Sequence, residues 1–414
     1  MKIFDVFRKK KQVPAPWEKY YTKEDIEFEI PDITMYEQIK ETALKYPDNY
    51  AYKYFSTKVT YKKFIEQIDE AAKAWKTLGV KKGTIVTFCM PNTPEVLIAL
   101  YALNKLGAIG SMFHPLSSEN EIKESIEGTQ SKFLVMIDMF YDKIKDTINE
   151  TSVEKVIFVS VADSMKLLLK LGYKLTKGRQ FNHYPAQDNF IPWKEFIKNR
   201  DKELVIKKGP DIGKNTPAMI LRSGGTSGKP KNIVLQNRAL LLGAIQEHIV
   251  LKRLLPGDNL LAIMPNFHGF GFSVTMHTPL YIGCTSVLIP QFDGKKLDLL
   301  LKKTKPACLL GVPTLFEALC NCNNKNNLDF SFLKYVICGG DDLSPSLETR
   351  VNNYLKERKA TVKISQGYGL SESLAAVCLS QGNMYKSGSI GVPFPGNYMK
   401  IIDSGTRKII QVNI

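Results

Sequence analysis

The chain has 414 residues, more than one hydrophobic core usually accommodates, so we expect at least two packed subdomains and exclude a small binding module. Hydrophobic residues make up 44% and charged residues 24%, and this ordinary composition without low-complexity tracts excludes a largely disordered protein. The net charge of +16 favours anionic partners, namely nucleotides, acidic metabolites, nucleic acid or anionic lipid, without choosing among them.

The seven cysteines are scattered, odd in number and mostly placed in apolar runs. This pattern predicts buried free thiols in a reducing compartment. The opening MKIFDVFRKKK carries its charges after its apolar residues, the reverse of a signal peptide, and no apolar run reaches the roughly 18 residues of a membrane span. We therefore expect a cytoplasmic protein.

Helical and strand patterns alternate from about residue 30 to residue 160. Apolar residues at helical spacing run through ITMYEQIKETALKYP and, after the candidate cap Thr60, through YKKFIEQIDEAAKAWKTLGV. TIVTFCM, SKFLVMI and VEKVIFVS read as buried strands, and TPEVLIALYALNKLGA reads as a helix. Strands separated by helices predict a largely parallel sheet covered on both faces. We assign residues 1–210 to a first α/β subdomain.

Within this subdomain, residues 163–180 form a basic amphipathic insertion. Its lysines fall on one stripe of a predicted helix, with Met165, Leu168, Leu169 and Leu171 opposite; they are Lys166, Lys170, Lys174 and Lys177. Such a helix can lie on an anionic membrane. A surface helix whose apolar side packs on the core is more common, and we favour it on the sequence alone.

The alternation returns after residue 211. PAMILRS, NLLAIMP, TSVLIP, ACLLGVP and FLKYVICGG read as strands, and NRALLLGAIQEHIVL reads as a helix. We predict a second open sheet in a subdomain over residues 211–395. In residues 396–414, YMKIID and RKIIQVNI flank Ser404 and Gly405 as a hairpin that would begin a small antiparallel β unit.

A glycine-rich loop, SGGTSGKPKN, joins the strand AMILR to the following helical region. Loops at this position collect anions on their backbone N–H groups. Its glycines allow close approach, its hydroxyls donate hydrogen bonds and its lysines add positive charge; these residues are Ser223, Gly224, Gly225, Thr226, Ser227, Gly228, Lys229 and Lys231. The loop suits a polyphosphate but is not a Walker A motif, because Pro230 stands where Ser or Thr is required. On composition alone, an ordinary surface turn remains the alternative.

Five stretches in series resemble motifs of the adenylate-forming superfamily, which includes acyl-CoA synthetases, luciferases and nonribosomal-peptide adenylation domains. They are SGGTSGKPK, MPNFHGFG, CGGDDL, QGYGLSES and GSIGVPFPG. Asn232 and Ser371 depart from the glycine and threonine usual in the family. The chain is most like the large domain of a bacterial fatty-acid:CoA ligase. This resemblance implies an α/β fold of two stacked, mostly parallel sheet subdomains with helices on both faces, plus the start of a small antiparallel β unit.

The resemblance also implies a reaction. A carboxylate attacks the α-phosphate of ATP to give an acyl-adenylate and pyrophosphate, and the thiol of CoA then displaces AMP. Residues Ser223 to Gly228 with Lys231 would hold the β- and γ-phosphates, and Glu372 would bind Mg²⁺. Ser371 would donate to the α-phosphate or the carboxylate, and His268 would lie near the carboxylate.

An adenine pocket is implied by the same resemblance. Tyr368 would stack on the base, and Gln366 would hydrogen-bond its exocyclic amine. The complete implied pocket consists of Gly339, Gly340, Asp341, Gln366, Gly367, Tyr368 and Gly369.

The segment around His268 bears on the substrate. Amino-acid-activating relatives carry an Asp there, whereas this segment has no acidic residue and places Phe267, Phe270 and Phe272 around the histidine. We therefore expect a carboxylic acid with an apolar tail. The insertion 163–180, which is similar to one in bacterial long-chain ligases, favours a fatty acid over an aryl acid. The acceptor, CoA or a carrier-protein thiol, stays open.

The family pattern stops after GSIGVPFPG, before the T-G-D block, the hinge and the C-terminal lid domain with its catalytic lysine. We expect the sequence to represent the large domain of a longer protein and the chain alone to be weak or inactive. A non-catalytic acyl- or nucleotide-binding protein on a degenerate synthetase scaffold is the alternative. No motif supports nucleic-acid binding.

Overall fold

The computed structural model describes residues 15–146, 148–176, 178, 184–223, 231–322, 328–403, 405–406 and 409–410. Strands alternate with helices along these residues. The strands are β1 Tyr50–Tyr54, β2 Thr57–Thr60, β3 Ile85–Cys89, β4 Ile109–Phe113, β5 Phe133–Ile137, β6 Lys155–Val159, β7 Phe190–Pro192, β8 Pro217–Arg222, β9 Asn232–Gln236, β10 Asn259–Ala262, β11 Thr285–Leu288, β12 Cys308–Gly311, β13 Tyr335–Cys338, β14 Ile364–Gly369, β15 Ala376–Leu379, β16 Val392–Pro393, β17 Ile401–Ile402 and β18 Ile409–Ile410.

The helices cover both sheets. They are α1 Lys23–Ile26, α2 Met35–Lys45, α3 Tyr61–Thr77, α4 Pro94–Lys105, α5 Glu119–Thr129, α6 Leu167–Leu175, α7 Trp193–Lys198, α8 Asn237–Val250, α9 Thr278–Ile282, α10 Leu297–Thr304, α11 Pro313–Cys320 and α12 Pro345–Glu357. A π-helical segment, Phe270–His277, leads directly into α9.

Side-chain caps fix where several of these helices begin. Thr34 precedes α2 and accepts a hydrogen bond from the Glu37 N–H, while the Glu37 carboxylate accepts from the Thr34 N–H at 2.8 Å. Thr60 caps α3 by accepting from the Lys63 N–H, as the sequence predicted. Each cap satisfies N–H groups that have no partner within the helix.

Two sheets of mostly parallel strands are found among the described residues. One runs in the order β7-β6-β5-β3-β4-β8-β9, and the other in the order β16-β15-β14-β13-β12-β10-β11-β1-β2. Antiparallel pairing is confined to β8–β9 in the first sheet and to β1–β2, β14–β15 and β15–β16 in the second. The α/β class with two largely parallel, helix-covered sheets is confirmed.

Strands cross the boundary that we placed near residue 210. Strand β8 pairs in parallel with β4, with Met219 opposite Gly110, and so joins the first sheet together with β9. Strand β1 pairs in parallel with β11, with Tyr52 opposite Ser286, and joins the second sheet together with β2. The position of a strand along the chain therefore does not determine which sheet it joins, because these strands pair with partners distant in sequence.

One hydrophobic core lies between the sheets. Its largest cluster includes Phe88 from the first sheet, Tyr52 and Leu260 from the second, and Trp75 and Phe272 from helical segments between them. These side chains are at most 1% exposed. Burying so much apolar surface in common stabilises the two sheets as a stacked pair.

The amphipathic insertion forms helix α6, but its leucines are not packed on the core. The exposed fractions are 72% for Leu167, 86% for Leu168, 50% for Leu171 and 61% for Leu175. Lys170 instead turns inward, where its ammonium lies 3.5 Å from the Asp163 carboxylate. The packed surface helix that we favoured from the sequence is therefore wrong for these leucines. Lys177 and the side chain of Lys174 lie outside the described structure.

The predicted terminal hairpin is present as β17 and β18, which pair antiparallel with Ile401 opposite Ile410. All seven cysteines are free, and six of them are buried. Among the helices that the structure describes, none is both long enough and apolar enough to span a membrane.

Candidate active site

A cavity of about 370 Å³ opens at the carboxyl ends of the second sheet's parallel strands. Leu310 of β12 and Ile337 of β13 lie in its wall, with Met264 just beyond β10. Helix α8, the π-helical segment and the chain after β14 complete the enclosure. In open α/β sheets, ligands bind in the crevice at these strand ends.

Two adjacent strand ends supply the glycines predicted for the nucleotide. Strands β13 and β14 run parallel, with Cys338 opposite Gln366, so the residues that follow each strand emerge side by side. Gly339, Gly340, Gly367 and Gly369 all lie in the cavity wall. The conformation of Gly340 is left-handed, with φ of 82°, which favours glycine.

Close chain approach explains the glycine at position 369. A Cβ atom there would lie 1.8 Å from the Ala375 carbonyl oxygen. The neighbouring Leu370 N–H donates to that same oxygen at 3.1 Å. The turn between β14 and β15 therefore closes tightly against the cavity, and a side chain at this position would force it open.

The polar residues predicted around adenine are placed differently from one another. Tyr368 lies in the cavity wall and is 37% exposed. Gln366 and Asp341 are not among the described residues that line the cavity. The Gln366 amide N–H₂ donates to the Asp342 carboxylate at 3.4 Å, and the exposed Asp341 accepts from the Asp342 N–H.

A single 3₁₀ turn, Ser371–Ser373, follows β14. Ser371 lies in the cavity wall, and no described residue hydrogen-bonds its hydroxyl, so that hydroxyl can serve a ligand. Glu372 is exposed and makes no ion pair with any described residue. Across the described chain there is no group of three or more His, Cys, Asp or Glu side chains that would hold a metal ion by themselves. A lone carboxylate suits Mg²⁺, which takes few protein ligands and shares phosphate oxygens.

His268 sits at the other side of the cavity, where the chain turns into the π-helical segment. Its N–H donates to the Pro265 carbonyl at 3.2 Å, and its carbonyl accepts from the Phe272 N–H at 2.9 Å. The imidazole is tilted against the Phe267 ring, with 4.8 Å between the ring centroids, and the centroid of the His114 ring lies 4.4 Å from that of Phe267. Burial, and to a smaller extent repulsion from His114, lowers the pKa of His268, although part of its surface is exposed. The imidazole is therefore neutral near pH 7.

The phosphate loop is described only at its two ends. Ser223 and Lys231 close its base, since the Ser223 N–H donates to the Lys231 carbonyl and the Lys231 N–H donates to the Ser223 hydroxyl, both at 3.0 Å. The predicted residues between them, Gly224, Gly225, Thr226, Ser227 and Gly228, lie outside the described structure.

The strand that leads into this loop lies beside the cavity wall. A Cβ atom on Gly269, a residue of the cavity wall, would lie 1.4 Å from the Leu374 carbonyl oxygen and 3.5 Å from the Leu221 side chain. Leu221 stands two residues before Ser223 on β8. The predicted phosphate-binding and adenine-binding segments therefore lie at one shared region of the molecule rather than on opposite sides.

One acidic residue of the cavity was missed by the sequence reasoning. Glu247 on α8 is 2% exposed and lies in the cavity wall. Its carboxyl accepts hydrogen bonds from the hydroxyl of Ser273, at 3.0 Å, and from that of Thr278. Burial raises the pKa of Glu247 to about 7. A charged residue inside the apolar run GAIQEHIVL was the available signal.

The family model described as AMP-binding enzyme matches residues 39–413 of the chain. Among similar curated proteins, a long-chain-fatty-acid–CoA ligase of Bacillus subtilis (strain 168) is 25% identical over 407 residues, which are 96% of this chain and 71% of that protein. A probable 4-coumarate–CoA ligase of Dictyostelium discoideum is 28% identical over 346 residues, which are 82% of this chain and 60% of that protein.

Solved structures share the fold. A long-chain-fatty-acid-CoA ligase from Archaeoglobus fulgidus aligns with a TM-score of 0.79 and 20% identity, covering 95% of this chain and 75% of that one. An anthranilate CoA ligase in complex with anthranoyl-AMP aligns with the same TM-score and 18% identity, covering 93% and 68% of the two chains.

Proposed function

The chain belongs to the AMP-binding enzyme family, and from that premise we propose that it serves ATP-dependent activation of a carboxylic acid to an acyl-adenylate, followed by transfer to CoA. In the first step a carboxylate oxygen attacks the α-phosphorus of ATP and pyrophosphate leaves. In the second step the CoA thiol attacks the acyl carbon and AMP leaves. Two of the chain's relatives are named as CoA ligases, one for long-chain fatty acids and one, as probable, for 4-coumarate.

The observation that carries the proposal is the shared cavity. It joins the His268 segment to the glycine-bearing ends of β13 and β14, with the strand that leads into the Ser223 loop beside it. Bringing two anionic reactants together requires fixed donors and positive charge around the meeting point. The cavity provides an apolar part for the acid and a polar rim for the nucleotide.

On the nucleotide side, the Tyr368 ring would stack on adenine, and the backbone of Gly339 and Gly340 would line its other face. Ser223 and Lys231 would hold the outer phosphates together with the intervening loop. Glu372 would hold Mg²⁺, which when bound neutralises charge on the phosphates. Gly367 and Gly369 in the cavity wall would shape this side of the pocket, and Asp341 and Gln366 would border the base from outside that wall.

On the acid side, His268 and Ser371 would orient the attacking carboxylate. A neutral imidazole N–H and a hydroxyl can each donate to an anionic oxygen without a compensating charge nearby. The cavity behind them is lined mainly by apolar side chains, including Val250, Leu251 and Val274. This lining supports an acid with an apolar body, of the fatty-acid class.

Helix α6 supports contact with a lipid surface that contains such an acid. Its outward leucines form an apolar face, defined as Leu167, Leu168, Leu171 and Leu175, on a chain of net charge +16. Lys166 at the helix start is exposed beside them. An apolar face bordered by positive charge fits an anionic membrane surface, and we propose that occupant.

The activity is tested by incubating the chain with ATP, Mg²⁺, CoA and straight-chain acids, and by measuring the release of pyrophosphate and AMP. We expect release that depends on the acid. Glu372→Ala should lower it by about a hundredfold and weaken Mg²⁺-dependent ATP binding measured by calorimetry. Glu203→Ala, at an exposed position outside the cavity wall, is the matched control. Since the chain alone is expected to be weakly active, the absence of both acid-dependent release and Mg²⁺-dependent ATP binding would remove the proposal.

A further inference from the structure

The cavity contains a buried carboxyl that the proposed reaction does not use. Glu247 on α8 belongs to a part of the cavity wall where apolar side chains predominate. Val250, Leu251 and Val274 line the cavity with it. Removing a carboxyl from water is costly unless hydrogen bonds replace those it loses. A pocket for a purely hydrocarbon chain would be better built with an apolar residue at this position.

Glu247 forms fewer hydrogen bonds than its carboxyl can form. Ser273 donates to one carboxylate oxygen and Thr278 to the other, and no further donor to it is found among the described residues. An ionised carboxylate has about four acceptor sites, and a protonated carboxyl gains a donor O–H. At least one hydrogen-bonding position therefore stays open in either protonation state.

The carboxyl is also bonded to the segment that carries His268. Ser273 lies in the π-helical segment, five residues after His268, and donates to Glu247. Ser273 also lies beside Gly243, where a Cβ atom would be 3.4 Å from its hydroxyl oxygen. Glu247 therefore shares the cavity wall with His268, the residue proposed to orient the acid's carboxylate, and is bonded to the segment that follows it.

We propose that Glu247 determines specificity, and that the acid carries a hydrogen-bond donor, a hydroxyl or an amino group, on the part of its body that enters the cavity. This inference rests on the proposed function and narrows its substrate class from plain fatty acids to hydroxylated or aminated ones. A plain hydrocarbon acid would bury the open position of Glu247 without a partner. Sites with a buried polar group discriminate strongly against analogues that lack its partner.

The test uses straight-chain acids from butanoic to decanoic acid, each paired with its ω-hydroxy and ω-amino derivative. The changing length moves the donor group past Glu247. We measure kcat/KM for pyrophosphate release with the whole chain, and the affinity of the same acids by calorimetry. At the best length, we expect the substituted acid to be preferred over its plain partner by about tenfold or more.

Two substitutions separate the role of the carboxyl from the stability of the fold. Glu247→Gln keeps the size and a hydrogen-bonding position, so it should retain the preference for the hydroxylated acid and lose that for the aminated acid. Glu247→Leu should reverse the preference toward plain acids by about tenfold. Glu127→Gln, at an exposed position of α5, is the matched control, and circular dichroism checks that each variant folds.

The outcomes distinguish the two proposals. Release with plain acids and unchanged ratios in both Glu247 variants would overturn the inference and leave the proposed function standing. The absence of both release and Mg²⁺-dependent ATP binding would remove the proposed function, while the calorimetric affinities of the acids would still decide whether Glu247 selects among them. A loss of stability in Glu247→Gln without any change in selectivity would assign the residue to bracing α8 against Ser273 and Thr278.

Discussion

Two glutamates in this protein are buried in surroundings that favour their protonated form. Glu247 lies in the cavity wall, and Glu95 lies at the start of α4 with 1% of its surface exposed. Ser164 donates to one oxygen of Glu95 at 2.5 Å, and its other oxygen has no partner among the described residues. Burial raises the pKa of each carboxyl to about 7. Both residues should therefore link the stability of the fold to pH.

The sign of the pH effect follows from the raised pKa. The folded protein binds the Glu95 proton more tightly than the unfolded chain, so this contribution is largest at low pH. This stabilisation is lost as the pH rises from 4.5, the ordinary pKa of a glutamate, to about 7, the pKa of Glu95 in the folded protein. The total loss is about 3 kcal/mol. Glu95→Gln removes this loss. The titratable groups facing Glu95 are Asp163, Tyr52 and Tyr54.

We predict that the free energy of unfolding of Glu95→Gln falls less between pH 5 and pH 8 than that of the unchanged protein, by about 2 to 3 kcal/mol. Denaturant unfolding followed by circular dichroism at several pH values measures the difference. Glu124→Gln, at an exposed position of α5, should leave the pH dependence unchanged. Parallel pH curves for Glu95→Gln and the unchanged protein would contradict the prediction.

At the scale of single residues, the sequence named a glycine whose identity is set by a local requirement, since the glycine at position 369 is required by a close chain approach. Tyr368 and Ser371 lie beside it in the cavity wall, and their roles stay predictions. Glu247 was not found, because its importance comes from a cavity formed by segments distant in sequence. The pattern around His268 predicted an apolar pocket, and the structure adds a carboxyl from another helix.

At the scale of elements, local signals predicted most helices and buried strands. Thr60 and Thr34 begin their helices through side-chain hydrogen bonds that depend only on neighbouring residues. Helix α6 was predicted as an amphipathic helix but assigned the wrong exposure. An amphipathic pattern shows which residues share one face of a helix. It does not show whether that face packs against the core, because this depends on the elements packed nearby.

The outward leucines of α6 give a prediction at this scale. Leu168→Gln combined with Leu171→Gln should lower binding to vesicles that contain anionic lipid by about tenfold, because two apolar side chains no longer enter the interface. Vesicle flotation measures the bound fraction. Leu44→Gln, at a leucine of α2 that is 75% exposed, is the matched control. Equal binding of the double variant and the control would contradict membrane docking by α6.

At the scale of the whole molecule, helices from distant parts of the chain are joined by a buried polar centre as well as by the common core. Asn237 is fully buried at the start of α8. Its amide oxygen accepts from the Met35 N–H and from the Asn104 side chain, each at 2.8 Å, and its amide N–H₂ donates to the Gly213 and Thr216 carbonyls at 3.2 Å. One side chain thus connects α2, α4 and α8.

Asn237→Ala should therefore destabilise the protein by about 3 kcal/mol or more, because it leaves several buried donors and acceptors without a partner. The free energy of unfolding in denaturant measures the loss. Asn120→Ala, at an exposed position of α5, should change it by less than about 1 kcal/mol. A similar small effect of both substitutions would show that water replaces the lost bonds.

The sequence by itself determined the alternation of strands and helices, the largely parallel sheets, the family resemblance and the glycine-bearing turns, because each depends on residues that are neighbours in the chain. Only the tertiary structure decided that β1 and β2 join the second sheet and β8 and β9 the first, that the leucines of α6 face outward, and that Glu247 enters the cavity. These features depend on pairing and packing between segments far apart in sequence, and no local periodicity records which distant partner a segment meets.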